Sequence, residues 1–244
     1  MRTVICVPRK PDGGRRDMIW EFVRDWMAFH NELPIYEGYS DTEPWSMAAA
    51  RNDAARKADK FGHWDVAIFQ DADTLTHPKC LELAVHMAAT QNKLIVAGDM
   101  RMTMDKVSSD EILSGGLWFP RPDGRHTKSN CDDNTCYAEP ASGSVVIRRS
   151  LYDAIGGYPE FMVDWGFEDL VFMTCAHIWG DGEAWVPQSM LLHLWHEKSR
   201  LSEHSHRNYE IWQRLHEIAG MANKRDLAIA YLHSLGHTWP TVTP

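Results

Sequence analysis

An α/β architecture with a Rossmann-like, mostly parallel central sheet and flanking helices is what this sequence predicts, on three observations. Short apolar runs alternate with stretches whose apolar residues recur at helical spacing, the order that builds βαβ units. The run DVAIF ends in two acids, Asp71 and Asp73, at the carboxyl end of a strand, where such sheets gather their ligands. Finally, 244 residues with 44% hydrophobic content suffice for one large domain with a real core.

The elements follow in order. RTVICVP reads as the first strand, and from Asp17 to Asn31 the residues Met18, Ile19, Phe22, Val23, Trp26 and Met27 mark a helix. LPIYEG suits a second strand, and SMAAARNDAARKADKF an Ala-rich helix capped by Ser46. DVAIFQ delivers Asp71 and Asp73; HPKCLELAVHMAATQ returns as a helix and KLIVAG as a strand. Met100 to Glu139, rich in Ser, Asp, Asn, Gly and Pro, breaks the pattern and is expected as a mobile insert or lid. Then come GSVVIRR as a strand, SLYDAIGG as a short helix, FEDLVFMTCAHIWG as a helix and AWVPQSMLLHLW as a strand. Two helices are expected from Glu203 to about Leu235, and HTWPTVTP as a loosely held tail. No repeat or linker interrupts residues 1–244, so a single domain is expected.

Bulk properties narrow the class. No run of about 18 apolar residues predicts a membrane span, and MRTVICVPRKPDGG lacks the apolar core of a signal peptide, so a cytoplasmic protein is expected. A net charge of −9 argues against broad, non-specific nucleic-acid binding, which needs Lys and Arg against phosphates. Cys6, Cys80 and Cys175 read as small core residues. Cys131 and Cys136, with His126 nearby, could form a disulfide or a partial zinc site, but no CxxC pair or fourth ligand is evident, and reduced loop thiols are expected. Eleven Trp is high, and many lie beside the polar clusters, where aromatics serve as core or as sugar and base platforms.

Three clusters carry chemistry. Asp71 and Asp73, at i and i+2 of an extended segment, are expected to face one spot, and a cation or a shared proton relieves their repulsion. GGYPEFMVDWGFEDL supplies Asp164, Glu168 and Asp169 among the permissive Gly156, Gly157 and Gly166. LLHLWHEKSR ends a strand with His193 and His196. A lone histidine is more often an ordinary side chain, but a pair closing a strand after two acid clusters suits a six-coordinate divalent ion, Mn²⁺ favoured over Mg²⁺ by the nitrogen ligands.

The ordered trio of DAD, SGSVVIRRSLYDAIGGYPEFMVDWGFEDL and LHLWHEKS resembles the nucleotide-sugar glycosyltransferases of the GT-A fold. It is most similar to the family 2-like group and to the galactosyltransferase and chondroitin-synthase type carboxyl-terminal motif, over Arg51 to Asn208. The resemblance implies metal binding by Asp73 and His196, with His193 as the other candidate, and a ribose or water-mediated metal contact for Asp71. It implies acceptor contacts from Trp165, Gly166 and Glu168 and a general base in Asp169, carried by a flexible WG turn. Arg51 and Asn52 resemble an ARN element beside the nucleotide, and Arg200 lies where a loop could grip the diphosphate. Two features depart from the family: the first strand lacks its polar base-recognition signature, and its WGGED is WGFED here.

The expected activity is metal-dependent transfer of a hexosyl or N-acetylhexosaminyl group from a UDP-sugar to a hydroxyl, inverting if Asp169 takes the proton opposite the leaving group. The acceptor is a glycan, a glycoconjugate or a hydroxymethylated DNA base; for DNA, Lys106, Arg121, Arg125, His126 and Lys128 of the insert are the residues that could touch phosphates. Two rivals stand beside this reading. DADTL also matches a haloacid-dehalogenase-like phosphatase, with Asp71 as nucleophile, although that family uses its first strand and Lys93 and Asp99 sit too close to complete its set. The other rival is a non-catalytic nucleotide-sugar binding protein.

Overall fold

In this computed structural model the described residues are 1–115, 136–138, 140–197 and 202–238, with only the backbone of 136–138. The first part of the chain gives β1 (Thr3–Pro8), α1 (Arg15–His30), β2 (Ile35–Gly38), α2 (Met47–Lys60), β3 (Val66–Gln70), β4 (Thr74–Thr76), α3 (Pro78–Thr90) and β5 (Leu94–Val96). There follow β6 (Met100–Thr103), α4 (Lys106–Leu113), β7 (Cys136–Ala138), β8 (Ser144–Arg148), α5 (Arg149–Ile155) and α6 (Glu168–Trp179). The last elements are β9 (Glu183–Trp185), β10 (Met190–His193), α7 (Glu203–Ala219) and α8 (Lys224–Ser234).

A six-stranded sheet runs β2-β1-β3-β8-β5-β9 and a four-stranded sheet β4-β10-β6-β7. The first is mostly parallel, as expected, but β8 runs antiparallel between β3 and β5. That reversal puts the start of β8 beside the end of β3: Ser144 pairs with Gln70, and the Asp71 N–H donates to the Gly143 carbonyl (2.8 Å). β1 and β3 are buried throughout, which explains their unbroken apolar runs. Ser46 caps α2 by accepting from the Ala49 N–H (3.1 Å). The alanines of α2 let it pack directly on β2, where a Cβ on Gly38 would collide with the Ala50 carbonyl. An aromatic cluster of Phe69, Tyr152, Tyr158 and Phe172 fills the core below the end of β3.

Two expectations are corrected. AWVPQSMLLHLW forms two strands, β9 and β10, in different sheets. The break falls at Gln188, which adopts φ 55, and the Asp99 carboxylate fixes it by accepting from the Gln188 and Ser189 N–H groups (2.7 and 3.1 Å). The segment expected as one irregular insert, 100–139, opens with β6 and α4 and returns with β7 into the second sheet. Arg121, Arg125, His126, Lys128 and Cys131 of that segment, and Arg200, lie outside the described residues. Among the described residues no helix is long and apolar enough to cross a membrane.

Candidate active site and metal centre

Asp73 lies in the turn between β3 and β4, and the second sheet brings the histidines to it. β10 pairs antiparallel with β4, setting His193 opposite Thr74, and the Leu194 N–H donates to the Asp73 carbonyl (2.8 Å). His193 Nε2 then lies 3.6 Å from Asp73 Oδ1, and His196 Nε2 lies 3.1 Å from Asp73 Oδ2. Ligand atoms of all three residues fall within 4.8 Å of one another.

Charge and proton placement fit a cation here. Burial alone would raise the Asp73 carboxyl, but the neighbouring imidazoles hold it well below the usual carboxylate range. Burial also works against charge on His196, yet its hydrogen bond to Asp73 lifts it above the ordinary imidazole value. For His193, burial dominates, helped by His196 and Arg101, and lowers it toward the neutral form that metals require. His196 Nδ1 contacts the Glu197 carbonyl (2.8 Å), which leaves Nε2 facing the site. His193 Nδ1 is buried without a hydrogen-bond partner among the described residues. Two imidazoles and one carboxylate suit Mn²⁺ or a similar divalent ion and leave further coordination positions open to other ligands.

A second centre is organised by Arg51 of α2, which is 2% exposed. Its guanidinium donates to Asp71 (2.9 Å), to Glu168 (3.5 Å) and to Asp169, and lies 4.8 Å above the Tyr158 ring. One cation thus faces three carboxylates. Burial, reinforced by the charges of Glu168 and Asp71, pushes the Asp169 carboxyl well above its usual range against the pull of Arg51.

Asp71 and Asp73 have different direct partners: Arg51 holds Asp71, while His193 and His196 flank Asp73, with the Asp71 charge also acting on His193. Residues 71–73 turn rather than extend, with the Thr74 N–H donating to the Asp71 carbonyl (3.2 Å), so the alternation of a strand does not apply. Asn52 is also used differently from a donor contact. Its amide donates to the Tyr158 carbonyl (2.9 Å) and Glu160 (2.8 Å) and accepts from the Tyr152 hydroxyl (2.7 Å) and the Tyr158 N–H (2.9 Å). All four positions go to protein, and they hold Tyr158 under Arg51.

The WG turn is pinned rather than flexible. The Asp164 N–H donates to the Trp45 carbonyl (2.7 Å), Ser205 to the Trp165 carbonyl (2.7 Å), and Asn208 to the carbonyls of Val163 and Gly166 (both 3.1 Å). Asp164, Gly166 and Phe167 all have positive φ, at 64, 110 and 71. Glu168 is buried with its carboxylate toward Arg51, while Trp165 is 50% exposed. Tyr158, Ser205 and Asn208 carry no sequence signal of their own; they are found only through their contacts. Arg16 and Arg101 likewise emerge from the structure, acting electrostatically on Asp73 and on His193.

No protein-family model matches the chain, and no curated protein matches it in sequence. Solved structures do match in fold. GalNAc-T7, solved with UDP, GalNAc and Mn²⁺, aligns with a TM-score of 0.52 at 13% identity, over 98% of this chain and 55% of that one. The catalytic domain of Drosophila β1,4-galactosyltransferase 7 with xylobiose aligns at 0.51 and 12%, over 85% and 79%. The S. aureus TarS fragment 1–349 aligns at 0.50 and 13%, over 96% and 70%. The chain thus spans about half the length of GalNAc-T7. At these identities the likeness establishes the fold, an α/β domain of the GT-A type.

Proposed function

We propose that the protein is a metal-dependent glycosyltransferase that moves a sugar from a UDP-sugar to an acceptor hydroxyl. The observation that carries this reading is the convergence of Asp73, His193 and His196, from distant parts of the chain, at the strand ends of a GT-A-type fold. Its neighbours in fold include a protein solved with UDP and Mn²⁺ and one solved with manganese and UDP-Gal.

In this reading Asp73, His193 and His196 hold the cation. When bound, it supplies Lewis-acid stabilisation of the charge left on the departing diphosphate. Arg16 and Arg101 add fixed positive charge on the same side. Asp169 accepts the proton of the acceptor hydroxyl as that oxygen bonds to the anomeric carbon; the bond from that carbon to the phosphate oxygen breaks, and its electron pair leaves with UDP. Attack opposite the leaving group inverts the centre. Arg51 steadies Asp169 and ties it to Asp71 at the donor side.

The rivals are weaker. A phosphatase would need Asp71 free as a nucleophile, but Arg51 holds it at 2.9 Å. A binding module has no need of a carboxylate held beside the site by a buried arginine. For hydroxymethylated DNA nothing specific stands: among the described residues only Lys106 remains of the proposed phosphate contacts, and its ammonium sits 5.7 Å from the Trp195 ring. The test is release of UDP from a panel of UDP-sugars, with and without Mn²⁺. Metal-dependent release is expected; a protein that neither binds nor turns over any UDP-sugar is not a glycosyltransferase of this kind.

A further inference from the structure

Helix α7 carries two distinct stripes. Ser205, Asn208, Ile211, Leu215 and Ile218 are buried. Tyr209, Trp212 and His216, spaced three and four apart, lie on a neighbouring stripe that stays open: Tyr209 is 39% exposed, Trp212 half-buried and His216 exposed. Trp212 packs in part against the core, as does Phe167, while Tyr209 and His216 stay exposed.

The open stripe is continuous with the turn that carries the base. The Phe167 ring lies 5.1 Å from Tyr209 and 6.1 Å from Trp212, nearly parallel to the latter at 28°. Tyr209 and Trp212 are 5.8 Å apart, and Trp212 and His216 5.6 Å. Phe167 holds φ 71, a left-handed conformation that glycine adopts freely and a bulky residue does not. The chain keeps an aromatic ring at a strained position two residues from Asp169, and that ring joins the exposed Trp165 turn to the outer stripe of α7.

We propose that Trp165, Phe167, Tyr209 and Trp212 form an extended acceptor subsite, and that the acceptor is an uncharged glycan of two or more sugar units. The proposal rests on the glycosyl-transfer reading above and names its substrate class. Sugar rings stack their apolar C–H faces on such platforms, and the Gln213 amide, donating to the Tyr209 hydroxyl (2.8 Å), fixes the orientation of that ring. The Phe167, Tyr209 and Trp212 ring centroids lie 5.1, 6.1 and 5.8 Å from one another, a surface broader than one sugar ring. Charge separates glycan from nucleic acid. α7 carries Arg207 and Arg214 against Glu203, Glu210 and Glu217, with Arg214 spent on Glu217 (2.8 Å), whereas a base-stacking strip for nucleic acid needs excess cations along it.

Calorimetry on the full chain loaded with UDP and Mn²⁺ tests this, using linear xylo-, cello- and chito-oligosaccharides of one to five units as probes. At least one series is expected to gain tenfold or more in affinity from one unit to four, with the gain lost in Tyr209→Ala and in Trp212→Ala and kept in Tyr209→Phe. Absence of any length-dependent gain, or its survival in both alanine variants, overturns the subsite. If light scattering finds a dimer that Tyr209→Ala dissociates, the strip belongs to a second copy and the proposal is again overturned. Failure of the wild type to bind UDP with Mn²⁺ would instead strike the glycosyl-transfer reading itself.

Discussion

Asp71 and Asp73, two residues apart, serve different centres: Asp71 accepts from Arg51 at 2.9 Å, while Asp73 lies 3.1 Å from His196 Nε2. The turn between them places the candidate metal ligands on one side and Asp169 with its arginine on the other. Asp71→Asn should keep Mn²⁺ binding while slowing transfer, because it loosens Arg51 and Asp169 directly and reaches His193 only through its charge. Electron paramagnetic resonance of free Mn²⁺ reads the first effect and UDP release the second. Loss of Mn²⁺ binding in this variant would return Asp71 to the metal.

Asp169→Asn should bind UDP and Mn²⁺ like the wild type yet lose transfer by about 10²–10⁴-fold, the usual contribution of a general base. Near-normal transfer by this variant would move the base to Glu168 or Asp164.

Metal affinity should rise with pH. In the metal-free protein Asp73 keeps His196 protonated above its ordinary imidazole value, so Mn²⁺ must displace that proton. Affinity is then weakest below the ordinary imidazole range and grows as pH climbs through the raised His196 value. Titrations in buffers of different ionisation enthalpy should report proton release near neutral pH. A pH-independent affinity would contradict the pairing of His196 with Asp73.

Arg51→Met should destabilise the fold by about 3–5 kcal/mol, because Asp71, Glu168 and Asp169 lose their buried counter-ion. Asp169, already raised by burial, then loses the lowering pull of Arg51 and rises further above its unfolded value. Its contribution is present at acid pH and lost as pH rises, so the deficit in urea unfolding should be smallest near the ordinary carboxylate range and grow toward neutrality.

Asn52→Ala should cost about 1–3 kcal/mol in urea unfolding, since it strands the buried Tyr158 N–H and its carbonyl partner. A donor-contact role alone would leave stability unchanged and raise KM for the sugar nucleotide.

Much of the frame was readable from pattern. The unbroken apolar runs of β1 and β3, Ser46 as a cap, and the paired histidines at the end of β10 all follow from local chemistry. What local pattern could not reveal depended on non-local pairing. β8 is antiparallel because it returns beside Asp71, and Asp99, from the chain after β5, breaks one apolar run into β9 and β10. Arg51 stood out as a nucleotide contact, but its grip on Asp169, 118 positions away, has no local trace. The Phe in WGFED did signal something: it marks the position that adopts φ 71.

The most direct measurement is a calorimetric titration of UDP in the presence of Mn²⁺ into the wild type and Asp73→Ala. Binding that requires both Mn²⁺ and the Asp73 carboxylate is the predicted result. Equal UDP affinity in the two proteins, or affinity in the wild type indifferent to Mn²⁺, would contradict a cation held by Asp73, His193 and His196.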